Sequence, residues 1–463
     1  MGKYLLDSEE KRIDELINKV KIKDLDYLKK DLNKILLECK DASIEDTINY
    51  LLEEMSKELQ PLLSENLTPG IEIGLKNDHF KMFSFGGKYN GKSDSKDIEL
   101  DTLFSFDSIS KLLTSVIAYL EVKNGNIDMD MKISDYNKDF LLDAKLKDVL
   151  KFTAYIKTPK RIDNLGVDET IDILKNVKEN KIEKDKYINY YEYNDIGYMI
   201  LRQAIYDFAS KLDSLLKEID DSNLTYKNMA DKDNITGGKL GEEYITPDTK
   251  GRGIDFPGHA GLYGNIVGLI KMFDEIIFKE NILSNEDKDV LFSQPYGSPV
   301  VYNNDGSIKV GKNGSKQYMA KVAGIYRMPD GIIDTSYNKM ASADMSEKTT
   351  KGAKAATGTS GSWVVGDKLS NDGKFGTYVG GFLTNPYSYV ETKEYGKNDE
   401  IKGTPHIVTP RGVILGYQTR LNKYKEIITK YGIMLEVITE YIKEVDEKAL
   451  KDADKTYIKR MTK

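Results

Sequence analysis

Ser108-Ile109-Ser110-Lys111 heads the apolar run Leu112, Leu113, Val116, Ile117 and Leu120, and this junction constrains the chain more than any other feature. The run predicts a buried helix beginning near Ser108. Three residues apart on it, Ser108 and Lys111 share one face with Cβ atoms about 5–6 Å apart. A serine hydroxyl is a poor nucleophile at its free pKa, and an adjacent amine able to lose its proton supplies a general base without histidine. Asp107 is placed to N-cap the helix. Ser108 then falls in the first turn, where free N–H groups favour developing negative charge.

The rest of the composition narrows the alternatives. At 463 residues the chain has room for two substantial domains, or for one core domain with large insertions. Its 68 basic and 75 acidic residues give a net charge of −7 with the signs interleaved along the helices, so no basic face for nucleic acid is indicated. Three histidines, His79, His259 and His406, occur without an H-E-x-x-H or Cys/His cluster, and neither a Walker loop nor a G-x-G-x-x-G turn is present. No metal or cofactor is therefore implied. The single Cys39 cannot form an internal disulfide, the first ten residues carry no apolar signal core, and no later run reaches the length of a membrane span. These features lead to the expectation of a cytoplasmic protein with no membrane span.

Residues 7–60 read as helical. Ile13, Leu16, Ile17 and Val20 recur at helical spacing, and Ser43 with Asp46 opens a second helix carrying Ile48, Leu51, Leu52 and Met55 on one face. Residues 106–290 are mostly helical in pattern, and Arg420–Val445 predicts a C-terminal helix.

Further segments fall in a telling order around Ser108. Thr68–Leu75 and Phe83–Gly87 precede Ser108, Asp101-Thr102-Leu103-Phe104 leads into the serine, and Gly125-Asn126-Ile127-Asp128 follows its helix. Tyr193-Asn194-Asp195, Gly258-His259-Ala260-Gly261-Leu262-Tyr263, Thr357–Asp367 and Phe375–Asn385 come after. In content and order these segments resemble the serine β-lactamase and penicillin-binding-protein superfamily, particularly its class C-like and esterase branch. The resemblance implies an α+β fold: an antiparallel sheet flanked by N- and C-terminal helices, with an opening β-hairpin at Thr68–Leu75 and Phe83–Gly87, a last core strand at Phe375–Asn385 and a large, mostly helical inserted domain. Residues 1–60 would form a helical extension and 61–463 the hydrolase domain, with sheet parts at about 61–105 and 315–463 and the helical part at about 106–314.

It also implies roles. Ser108 would be the nucleophile and Lys111 its base. Tyr193 would shuttle a proton between the serine and the leaving group, and Asp195 would hydrogen-bond the lysine or the substrate. The glycine-rich turn at Gly258–Tyr263 would be structural. Relatives place K-T-G or H-T-G on the strand lining the site. Gap-free counting puts Ala353-Lys354-Ala355 there, whereas a one-residue slip gives Lys354-Ala355-Ala356 and requires a bulge. In either register the oxyanion hole would use the backbone N–H groups of Ser108 and Ala356. Phe152 and Ala154 stand where many relatives have the His and Ser of H-T-S-G. The implied activity is acyl-serine hydrolysis of a small ester, amide or peptide. The altered third motif keeps a non-catalytic binding homologue as the alternative, with a β-lactamase or penicillin-binding protein third.

Overall fold

The computed structural model describes residues 42–63, 70–78, 80–90, 94–157, 159, 167–226, 234–240, 243–245, 258–296, 301–309, 321–326, 332–334, 349–351, 354–357, 362–368, 377–384, 394–395, 401–402 and 455–461, with 31, 34, 35, 38, 431 and 434 as isolated helical positions. Helix α1 (Ile44–Leu63) is the one predicted to open at Ser43, whose hydroxyl oxygen accepts the Asp46 N–H at 3.0 Å. Its predicted apolar face, Ile48, Leu51, Leu52 and Met55, is buried, as is Leu59. It runs to Leu63, past residue 60. The helical stretch carrying Ile13, Leu16, Ile17 and Val20 lies outside the described residues. So does most of Arg420–Val445, but helical Tyr431 donates its phenolic hydrogen to Glu58 of α1 at 2.8 Å, which ties the two ends of the chain together.

Strands β1 (Ile71–Lys76) and β2 (Phe80–Gly86) form the expected hairpin. Its turn is closed by buried Asn77, whose side chain accepts the Phe80 N–H while its own N–H donates to the Phe80 carbonyl. The chain then passes through β3 (Phe104–Ser105), α2 (Ser110–Lys123), α3 (Leu146–Leu150), α4 (Ile196–Ala204), α5 (Phe208–Asp220), β4 (Leu224–Tyr226), β5 (Leu262–Gly264) and α6 (Ile266–Phe273). It returns to the main sheet with β6 (Lys321–Val322), β7 (Ile325–Tyr326), β8 (Lys354–Thr357), β9 (Trp363–Lys368), β10 (Thr377–Thr384) and β11 (Lys455–Arg460).

The main sheet has the order β11-β2-β1-β10-β9-β8-β7-β6. Its pairings are antiparallel except at one edge, where β11 lies parallel to β2 from Lys455 opposite Phe80 to Arg460 opposite Phe85. The expected antiparallel sheet thus carries one parallel addition, for which the long stretch of chain between β10 and β11 supplies the crossover that parallel pairing needs. Helix α6 packs across β1 and β10 at Gly74 and Gly381. A Cβ on Gly74 would lie 2.4 Å from Ile270 Cδ1, so the bare backbone sets how close the helix sits.

Helix α2 is buried nearly all round, with polar Ser110, Lys111, Thr114, Ser115 and Glu121 enclosed along with its apolar residues. Leu112, Leu113, Val116 and Ile117 are buried in one core that also takes in α4, α5 and α6. Between β2 and β6 the described residues are mostly helical, with β3, β5 and β4 forming a small separate three-stranded sheet. No helix among the described residues is long and apolar enough to cross a membrane.

The β6–β7 hairpin turns on Ala323-Gly324, both at positive φ (49° and 84°). Such two-residue turns match the twist of the flanking strands. The turn rests directly on α2: a Cβ on Gly324 would lie 2.4 Å from Leu112 N and 2.7 Å from Lys111 C. Gly324→Ala should therefore destabilise the fold by about 2–5 kcal/mol, from a left-handed alanine plus overpacking against backbone. Urea denaturation measures it, and a loss below about 1 kcal/mol would mean that the hairpin lifts off α2 freely.

Candidate active site

The serine does not sit where simple capping places it. Residues Asp107–Ile109 form a 3-10 turn, α2 begins only at Ser110, and neither start carries a side-chain cap. Asp107 is thus not the predicted N-cap. Its backbone is left-handed (φ 43°), and its carboxylate accepts the Ser105 hydroxyl at 2.5 Å, a local bond that competes with capping. Short polar residues tolerate this conformation best. The tight turn presents Ser108 ahead of the helix proper.

Strand pairing brings the glycine-rich turn to the same place. Phe104 lies opposite Gly264 and Ser105 opposite Tyr263. Thr114 donates to the Gly258 carbonyl at 2.7 Å, and Ser110 Oγ accepts the Leu262 N–H at 3.2 Å. These straps aim the His259 carbonyl at the lysine. Lys111 Nζ lies 2.8 Å from His259 O, 3.1 Å from Ser108 Oγ and 2.6 Å from Asp195 Oδ1, on a side chain only 1% exposed.

Burial decides the electrostatics of this group. Loss of solvent lowers the Lys111 pKa, against the opposing pull of Asp195 and Asp107. Burial also works against ionisation of Asp195, but Lys111 prevails there and holds that carboxyl below its usual pKa. The Asp195 side chain is 50% exposed, so water solvates its open side. The His259 imidazole, stripped of solvent and beside Lys111, falls to about 4 and is neutral at pH 7. Among the described residues its buried Nδ1 has no hydrogen-bond partner.

Tyr193-Asn194-Asp195 approaches from the opposite wall. Asn194 faces away from the serine, donating to the Ile156 carbonyl at 2.6 Å and accepting the Gly197 N–H at 3.2 Å at the start of α4. Its neighbours on either side reach the site: Tyr193 donates its phenolic hydrogen to Ser108 Oγ at 2.7 Å, while Asp195 meets Lys111. The structure thus brings Ser108, Lys111, Tyr193 and Asp195 together from segments 85 residues apart.

The third-motif strand β8 runs beside the Asp107–Ile109 turn, and Ser362, just before β9, donates to the Ser105 carbonyl at 2.7 Å. In β8, Lys354, Ala355 and Ala356 lie opposite Gly366, Val365 and Val364, and Ala356 is fully buried. Ala353 lies outside the described residues.

Two contributors escaped the sequence reading. One is the His259 carbonyl, assigned there only a structural turn. The other is Lys321, at the start of β6, whose Nζ lies 4.6 Å from the centre of the Tyr193 ring, with Lys111 Nζ 5.0 Å from it. Tyr191 pins Lys321 by donating to its carbonyl at 3.0 Å and accepting its N–H at 2.8 Å. The Ala323-Gly324 turn that follows was the one local signal, and it marks a hairpin without saying what the hairpin delivers.

No protein-family model and no curated protein sequence matches the chain. Solved structures do. D-amino acid amidase from Ochrobactrum anthropi SV3, complexed with D-phenylalanine, is similar with a TM-score of 0.52 at 11% identity, covering 82% of this chain and 99% of that one. Its complex with L-phenylalanine gives 0.52 at 12% identity, covering 82% and 98%. A β-lactamase/D-alanine carboxypeptidase from Pseudomonas syringae gives 0.49 at 17% identity, covering 80% and 98%. The chain has the fold of this D-amino acid amidase.

Proposed function

We propose that this protein is a serine hydrolase that acylates Ser108 with a small amide, ester or peptide and then releases the acyl group to water. The observation that carries this reading is the disposition around Lys111 Nζ. A neutral amine has two N–H groups and one lone pair; with the N–H groups directed to His259 O and Asp195 Oδ1, the lone pair is left for Ser108. Lys111 takes the serine proton as Oγ attacks the substrate carbonyl. The backbone N–H groups of Ser108 and Ala356 receive the oxyanion. Tyr193 then gives its proton to the departing amine or alcohol and regains one from the Lys111 ammonium. The likeness of fold to an amidase solved with phenylalanine amide favours small amides among the substrates.

The absence of a Lys-Thr-Gly triplet on β8 favours a second reading, a binding homologue without turnover. A fluorophosphonate probe separates the two. Covalent labelling of Ser108, lost in Ser108→Ala, is the expected result. A folded wild-type protein that stays unlabelled would leave the binding homologue standing.

A further inference from the structure

We infer that Phe152 is a positioning residue that orients three tyrosine rings, among them Tyr193 whose hydroxyl meets the nucleophile, an inference that rests on the acyl-serine reading above. Phe152 stands just past α3 with φ 59°, a left-handed conformation that a helix end normally gives to glycine or asparagine. A bulky aromatic there is an outlier that the surrounding structure must enforce. The enforcement is visible on both sides. The Thr153 and Ala154 N–H groups donate back to the Asp148 carbonyl at 2.8 and 3.2 Å, Thr153 Oγ1 donates to Asp148 Oδ1 at 2.9 Å, and the Phe152 carbonyl accepts the Glu192 N–H at 3.0 Å. That last bond fixes the backbone one residue before Tyr193.

The ring explains why glycine would not serve. Only 2% exposed, it lies at the centre of a tyrosine fan: 4.9 Å from the Tyr193 ring at 34°, 5.3 Å from Tyr198 at 27° and 6.1 Å from Tyr191 at 78°. Each hydroxyl of the fan anchors a different wall of the site. Tyr193 reaches Ser108 Oγ; Tyr198 donates to the Leu150 carbonyl at 3.0 Å and lies 3.1 Å from Ser115 Oγ of α2; Tyr191 clamps Lys321. A general apolar filler would pack against the rings without fixing their planes. An aromatic ring stacked or tilted against Tyr198 and Tyr193 and edge-on to Tyr191 does fix the planes.

The test compares Phe152→Leu, which keeps apolar bulk but loses the ring, with Phe152→Tyr, which keeps the ring. Hydrolysis of phenylalanine amide, whose amine leaves only when protonated, is followed as a function of substrate concentration beside fluorophosphonate labelling, and each variant is crystallised. For Phe152→Leu kcat on the amide should fall about 10–100-fold with KM unchanged, the scale of an ångström-sized misplacement of a catalytic group, while labelling, whose fluoride leaves without a proton, stays near the wild-type rate. Tyr193 Oη should leave hydrogen-bond distance of Ser108 Oγ. Phe152→Tyr should restore amide turnover to within a few-fold. Phe152→Met replaces the leucine variant if that one does not fold. A folded leucine or methionine variant with wild-type amide turnover and Tyr193 still 2.7 Å from Ser108 overturns the inference. If the wild type is unlabelled, the acyl-serine reading fails by itself, and the Tyr193–Ser108 separation in the variant crystals still decides what Phe152 positions.

Discussion

Lys111→Met is expected to cut Ser108 acylation by about 10⁴–10⁶-fold, the scale on which losing a nucleophile's own base acts, while the protein stays folded. Methionine matches the length of the lysine stem and brings no charge into a site where the lysine side chain is 1% exposed. The partner left behind, Asp195, is half exposed and partly solvated, so the penalty of orphaning its charge is reduced. Lys111→Arg should fail as well. A guanidinium does not deprotonate in a protein, and its bulk does not fit the enclosed pocket. Full labelling of the arginine variant would show that another group takes the serine proton.

The same residue fixes the direction of two pH effects. Burial lowers the Lys111 pKa, so the neutral amine forms at a lower pH than for an ordinary lysine, and acylation should rise with pH through that lowered value. Stability follows the same sign. Between the lowered folded pKa and the unfolded value of about 10.4, the unfolded chain binds the extra proton, so raising the pH stabilises the fold. Lys111→Met should remove that slope. A methionine variant whose pH–stability curve superimposes on the wild type would mean that Lys111 is not desolvated in solution.

What could be read from the sequence came by two routes. The apolar run after Lys111 marked α2 and the face of Ile48, Leu51, Leu52 and Met55 marked α1, because periodicity reports burial along one element. The segments before Gly87 and after Phe375 marked β1, β2 and β10 only through their resemblance to the β-lactamase-like superfamily. Asp107 was misplaced because a capping residue and a 3-10 residue share the same composition, and only the Ser105 hydroxyl separates them. The parallel β11 depends on a crossover that no strand pattern encodes. The His259 carbonyl is a backbone atom, and any residue type at that position supplies one. Phe152 looked like a lost His because its function lies in ring planes contributed by Tyr191, Tyr193 and Tyr198, none of them adjacent to it in sequence.

Tyr193→Phe isolates one hydroxyl from all this packing. The ring keeps its place against Phe152 while the hydrogen bond to Ser108 Oγ is lost, so stability should change by only about 0.5–1.5 kcal/mol. Turnover should nevertheless fall about 10²–10⁴-fold, because the proton for the departing amine or alcohol has lost its carrier. The loss belongs in the rate and not in binding, since the hydroxyl acts on the leaving group only as its bond to carbon breaks. Better leaving groups should shrink it. An activated aryl ester departs without needing a proton and should react with Tyr193→Phe at close to the wild-type rate, whereas an amide should show the full loss. Equal losses on amide and aryl ester would place the role of Tyr193 in the attack of Ser108, and a rise in KM alone would make it a contact residue.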